Sequence, residues 1–196
     1  MKGSRMNICI LNGSPRKNGN TAELLKPFCD ELALCAANVS RIDLVQKNIA
    51  SCKGCYACQD ISGEYGCCQK DDMSDVASII LSSDLIVLAT PIYTWFCTTE
   101  LKAVLDRFYG FTKYYRTAKG NLVEGKRIAI LATHGYDASY AADPFVIGMQ
   151  RMCEHYHMRY LGMYSVRDVD DIKSFQTKQA QSGARDFARY LLSCQS

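Results

Sequence analysis

Apolar and polar positions alternate in blocks along this chain. Asn7-Ile-Cys-Ile-Leu11 is a short apolar run bounded by turn residues, as a buried parallel strand requires. Residues 21–36 carry Leu24, Phe28, Leu32 and Cys35 at helical spacing, and 39–44 alternate as a second strand. A polar, Gly- and Cys-rich stretch at 45–70 follows, long for a loop inside a compact domain and for that reason a candidate for function. The pattern then predicts a helix over 75–82 and a strongly apolar strand over 84–90. A helix over 98–111 follows, with Leu101, Val104, Leu105 and Phe108 on one stripe. A strand over 127–132, a helix over 144–155, a strand over 160–166 and a helix over 172–192 complete the series. Strict alternation of strand and helix implies a parallel sheet covered on both faces. Five strands with long loops after the first, third and fourth predict the doubly wound α/β order 2-1-3-4-5. No repeat, low-complexity segment or linker divides residues 1–196, so one domain is expected.

Composition narrows the function without naming it. The 196 residues are 48% hydrophobic and 22% charged, the balance of an ordinary globular protein. A scattered net charge of +3 gives no footprint for nucleic acid, and no basic run is long enough for a membrane surface. The apolar run after Met1-Lys2-Gly3-Ser4-Arg5-Met6 is too short for a signal peptide, and no segment has the length of a membrane span. A cytoplasmic location is the expectation.

The loop after strand 1, Asn12-Gly-Ser-Pro-Arg-Lys-Asn-Gly-Asn-Thr21, occupies the switch point where doubly wound sheets bind ligands. Ser14, Asn18, Asn20 and Thr21 offer polar side chains, the helix start offers unpaired N–H groups, and Arg16 can fork onto a phosphate. Asn20 with Glu23 has the spacing of a capping box. Neither a Walker A loop nor a G-x-G-x-x-G is present, so the loop is an anion site of another kind or a plain turn.

The loop after strand 3 is rich in flat side chains. Pro91, Tyr93, Trp95 and Phe96 can wall a planar ring, while the peptide groups of 92–97, Ile92 and Thr94 among them, can meet its polar edge. The same aromatics could instead pack the loop onto the sheet. After strand 4, Thr133-His-Gly-Tyr-Asp137 supplies Thr133, Gly135 and Tyr136 as a third ligand loop. His134 is given a positioning role at most, and His155 and His157 point apart on a helix and are not expected to pair on a metal.

These loops resemble those of the NADPH-dependent FMN reductase family, which has a flavodoxin-like fold. The Ser-x-Arg…Asn-Thr pattern falls on Ser14, Arg16, Asn20 and Thr21, and the segment 89–107 resembles the family's second motif. Cys97-Thr98-Thr99 departs from the Met-Pro pair often found there. The resemblance implies noncovalent FMN, with its phosphate on the first loop and its ring against the second and third. It also implies NAD(P)H as electron donor, a flavin, quinone or nitroaromatic as acceptor, and a dimer or tetramer.

Of eleven cysteines, five cluster: Cys52, Cys55 and Cys58 at C-x2-C-x2-C spacing, then Cys67 and Cys68. Four such thiolates can hold a [4Fe–4S] cluster or a zinc ion, and the two Cys-x-x-Cys pairs also allow a redox-active dithiol. The motif resembles that of the iron–sulfur flavoproteins, a branch of the same family, which implies Cys52, Cys55, Cys58 and Cys67 as ligands, with Cys68 competing for the fourth place. The rival to an enzyme is therefore an electron carrier that uses FMN and an iron–sulfur cluster.

Overall fold

A computed structural model describes residues 5–35, 37–169 and 171–194. Strand β1 (Asn7–Asn12) is the second strand of a five-stranded sheet. Its neighbours are β2 (Asn38–Asp43) on one side and β3 (Leu85–Pro91) on the other. After the two-residue strands β4 (Thr112–Lys113) and β5 (Gly120–Asn121), which form a small antiparallel ribbon, β6 (Arg127–His134) pairs with β3. The edge strand β7 (Arg159–Arg167) pairs with β6, so the order is β2-β1-β3-β6-β7 with every pair parallel. This is the expected 2-1-3-4-5 order of a flavodoxin-like sheet.

Period-two alternation sends successive strand residues to opposite faces. Ile8, Ile10, Leu85, Val87, Ala129 and Leu131 meet α1 (Asn20–Leu34) and α6 (Lys178–Ser193) on one face. Cys9, Leu11, Ile86, Leu88, Ile128 and Ile130 meet the other layer: α2 (Met73–Ser82), α3 (Thr99–Asp106) and α5 (Asp143–His155). A one-turn α4 (Ala138–Ala141) precedes α5. At β7 the register shifts by one residue, and Gly162 supplies the φ of 110° that the irregularity needs. Among the described residues no helix is long and apolar enough to cross a membrane.

Several boundaries differ from the periodicity reading. The third helix ends at Asp106 and tightens into a 3₁₀ turn over Arg107–Gly110, and the last helix starts at Lys178 after a separate 3₁₀ turn over Ile172–Phe175. The polar β4–β5 ribbon carries no apolar alternation and was not expected. The first helix does start at Asn20, but without the capping box: Gly19 is the cap, Asn20 bonds elsewhere and Glu23 accepts from Gln176. The end expected for this helix, Ala36, lies outside the described residues, as do Met1–Ser4.

One close approach fixes the loop after β1. A Cβ on Gly13 would sit 2.7 Å from Thr98 Oγ1 and 2.9 Å from Leu101 Cβ. Gly13→Ala is therefore expected to cost about 1–3 kcal/mol by overpacking, read as a lowered urea midpoint at unchanged slope.

Candidate functional site

The carboxyl ends of β1, β3, β6 and β7 enclose a groove built from its loops upward. Asn12 donates from Nδ2 to Asp43 (2.8 Å) and accepts the Ser14 N–H (3.2 Å), which starts the first loop. Gly13 donates to the Ala89 carbonyl (2.8 Å) and accepts from Thr98 Oγ1 (2.7 Å), so the loops after β1 and β3 are tied together. Thr98 also caps α3 through the Leu101 N–H. Thr21 Oγ1 lies 3.3 Å from Thr133 Oγ1, joining the first loop to the third.

Two cavities share Ile92, Tyr93 and Gly135 and so form one groove. The first, of about 310 Å³, is lined by Arg16 and Asn20 from the first loop, Pro91 and Thr133, and the segment Arg167-Asp168-Val169 after β7. The second, of about 340 Å³, adds Thr94, Trp95, Tyr136 and Ala141. Arg16, Asn20, Pro91–Trp95, Thr133, Gly135 and Tyr136 are therefore brought together. Ser14, Asn18, Thr21 and Phe96 line neither cavity: the Ser14 hydroxyl turns to the Arg16 carbonyl, Thr21 faces Thr133, and Phe96 lines a separate apolar hollow beside α5. The Asn20 amide is committed to Asp168 Oδ2 at 2.5 Å.

The turn from Tyr93 to Phe96 carries an unusual backbone. Thr94 (φ 48°) and Trp95 (φ 66°) are left-handed without being glycine, which costs roughly 1–2 kcal/mol at each residue. Tyr93 and Phe96 exchange N–H···O bonds across the turn, and Ile92 donates to Thr133. Three of the peptide N–H groups expected for a ligand edge are thus used within the protein. The two central residues of a tight turn donate to nothing inside it, so the N–H groups at the tip are those of Thr94 and Trp95.

Exposure decides what the aromatics do. Tyr93, Trp95, Phe96 and Tyr136 are 47%, 39%, 49% and 62% exposed, so they do not pack the loop onto the sheet. Trp95 meets Tyr140 edge-on at 5.8 Å, and Tyr140 meets Tyr136 at 5.6 Å, giving the groove an open aromatic bank. His134 is buried with Nδ1 2.6 Å from the Tyr136 carbonyl and Nε2 3.0 Å from Ser165 Oγ. Both ring nitrogens are engaged within the protein.

The sequence reading missed Tyr140 and the segment 167–169. The rule that ligands meet the carboxyl ends of strands applies to β7 as well as to β1, β3 and β6, and would have pointed to the second. Tyr140 carried no such signal, because its place follows from the short α4.

The five clustered cysteines line one further cavity of about 340 Å³, with Tyr56, Tyr109 and Asp106. Its walls are held from inside. Gln59, fully buried, donates to the Tyr109 and Thr112 carbonyls and accepts from the N–H groups of Tyr114 and Tyr115. Lys113, also buried, donates to the carbonyls of Cys58, Tyr65 and Gly110. Arg107 reaches Asp71 (2.5 Å), Cys67 Sγ (3.2 Å) and the Ala50 carbonyl (3.3 Å).

The thiols differ in character. Cys55 and Cys68 stand 3.7 Å apart at sulfur; the Ala57 N–H and that contact lower the pKa of Cys55, while Cys55 raises that of Cys68. Burial raises that of Cys58. Among the described residues no three metal-ligating side chains converge on a single ion. The donor set itself, five thiols around one hollow, suits a cluster held by several thiolates. In the segment 108–115, Phe108, Phe111 and Lys113 are buried.

The fold defines a doubly wound α/β protein with a groove at the switch point of its sheet. The chain belongs to the flavodoxin-like fold family, which it matches over residues 6–191. It is 36% identical over 95 residues to an iron-sulfur flavoprotein of Archaeoglobus fulgidus, 48% of this chain and 42% of that protein. It is 28% identical over 102 residues to one of Methanosarcina thermophila, 52% of each. The match spans about half the length of these curated relatives. Among solved structures, a NAD(P)H:quinone oxidoreductase from Methanothermobacter marburgensis superposes with TM-score 0.74 at 17% identity, covering 96% of this chain and 98% of that one. An FMN-dependent NADH-azoreductase from Bacillus anthracis superposes with TM-score 0.69 at 14% identity, covering 95% and 99%. At such identities these superpositions speak for the fold.

The Asp71–Arg107 pair yields a prediction. Burial alone would raise the Asp71 carboxyl, but the Arg107 guanidinium and the N–H groups of Ala50 and Met73 outweigh it and hold the pKa below its ordinary value. The stability it contributes is fully present above about pH 4 and is lost as pH falls through the lower folded value. Asp71→Asn should cost about 3–5 kcal/mol in urea unfolding at neutral pH, because it strands a buried guanidinium, and its penalty should shrink on acidification.

Proposed function

We propose that this chain is an FMN-dependent oxidoreductase that takes electrons from NAD(P)H and passes them to a flavin, quinone or similar small acceptor. The observation that carries the reading is the open aromatic bank beside a strained, non-glycine turn in a groove at the switch point. When bound, FMN supplies the electron chemistry, and the protein supplies binding and orientation.

Each loop has a part in that binding. Arg16 and the first turn of α1 meet the phosphate, with Ser14, Asn18, Asn20 and Thr21 shaping the loop around it. Pro91, Tyr93, Trp95 and Tyr136 border the ring, the N–H groups of Thr94 and Trp95 serve its polar edge, and Ile92, Thr133 and Gly135 line the passage between the two ends. The exposed rings leave a face where a nicotinamide and then an acceptor can stack in turn. The reading draws support from the names of the structural neighbours, a quinone oxidoreductase and an azoreductase. It includes a single domain over 1–196, a cytoplasmic location and a dimer or tetramer.

A second reading is favoured by the cysteine cavity and by the name of the curated relatives: an electron carrier that pairs FMN with a [4Fe–4S] cluster on Cys52, Cys55, Cys58 and Cys67. Stopped-flow mixing separates the two. The reductase reading expects NADH or NADPH to bleach bound flavin as fast as turnover with an added quinone. If dithionite bleaches it and neither nucleotide does, the carrier reading replaces it. Arg16→Ala should weaken FMN binding by about 1–3 kcal/mol in a fluorescence titration, the loss of one charge-assisted hydrogen bond.

A further inference from the structure

The cysteine cavity has a charged floor. Behind the five thiols lie two buried cations, Arg107 with its side chain 1% exposed and Lys113 at 1%, and one carboxylate, Asp71, 7% exposed. Among the described residues the hydrogen-bond partners of Lys113 Nζ are all carbonyls: Gly110 at 2.6 Å, Cys58 at 2.7 Å and Tyr65 at 3.1 Å. Asp71 answers Arg107, while the carboxylate that acts on Lys113, Glu64, is exposed, so the buried groups of the floor carry a positive excess. An uncompensated buried charge is costly, and the two cations touch the cavity wall at Cys58, through its carbonyl on Lys113, and at Cys67, through its sulfur on Arg107. Arg107 Nε and the Tyr65 hydroxyl are likewise buried there without a hydrogen bond among the described residues.

Arg107 also discriminates between adjacent cysteines. Its Nη2 lies 3.2 Å from Cys67 Sγ, whereas exposed Cys68 turns to Cys55 at 3.7 Å. A guanidinium is a fixed fork that cannot lose its charge, so it holds the sulfur it meets in one place.

We propose that Arg107 is a positioning residue for an iron–sulfur cluster in this cavity: it fixes Cys67, not Cys68, as the fourth ligand, and with Lys113 biases the cluster toward its reduced state. The inference rests on the second reading above. Reduction brings in one electron from the reductant, with no bond formed or broken. Four thiolates leave a [4Fe–4S] centre negative in both states and more so when reduced, which the buried positive floor favours.

The test uses anaerobically purified, flavin-loaded protein, with iron and sulfide assays and a dithionite redox titration followed by absorbance and electron paramagnetic resonance. Cys68→Ser should keep wild-type iron and Cys67→Ser should lose most of it. Arg107→Gln should keep iron but move the midpoint potential negative by at least a tenfold weakening of reduction, about 59 mV for one electron. Where Arg107→Gln fails to fold, Arg107→Lys keeps a charge for Asp71, cannot reach both Asp71 and Cys67, and should shift the potential the same way by less. An unshifted potential in the folded, iron-loaded variant overturns the proposal, as does iron lost from Cys68→Ser and kept in Cys67→Ser. Wild-type protein without iron refutes the cluster reading itself and the proposal with it; iron in wild type with an unshifted variant refutes the proposal alone.

Discussion

The groove depends on one hydroxyl. Thr98 Oγ1 donates to the Gly13 carbonyl and accepts the Leu101 N–H, so a single side chain caps α3 and pins the loop after β1 against the loop after β3. Gly13 completes the tie by donating to Ala89 at the end of β3, and its missing Cβ leaves the space the hydroxyl fills. With β1 and β3 adjacent in the sheet, the loops that diverge from them open a cleft, and Thr21 against Thr133 closes its far wall. A ligand here meets a helix start and a cation at one end and flat side chains at the other.

The cysteine loop is organised on a different principle. It has little apolar material of its own, and its order comes from buried polar groups that are almost fully satisfied: Gln59 with four partners, Lys113 with three, Arg107 with three. Such a network holds only when complete, because each member stripped of a partner becomes a buried liability. The 3₁₀ turn over Arg107–Gly110 and the β4–β5 ribbon belong to this network, since they deliver Arg107, the Gly110 carbonyl and Lys113 to the loop. The groove and the cysteine cavity are thus separately supported, and a change in one need not unmake the other.

How much of this was legible in the sequence follows from the kind of force involved. Sheet order and the two helical layers were readable because hydrophobic periodicity reports burial directly, as at Ile8, Ile10, Leu85 and Val87 facing α1 and α6. That Arg16, Pro91, Trp95 and Tyr136 would share one groove was readable because the loops that carry them follow neighbouring strand ends. The capping box at Asn20 was misread, since tertiary contact with Asp168 drew its amide away from the helix. The roles of Gln59, Arg107 and Lys113 were invisible for a related reason. A polar residue in a polar segment gives no periodic signal, and only the fold shows that these three are buried.

The central claim is that the groove binds FMN through its phosphate as well as its ring. Titration of the flavin-free protein with FMN and with riboflavin, each followed by quenching of flavin fluorescence, tests it most directly. The account predicts one FMN bound per chain and riboflavin held at least tenfold more weakly, since the start of α1 and Arg16 then have no anion to meet. Equal affinity for the two, or no binding of either, would contradict it.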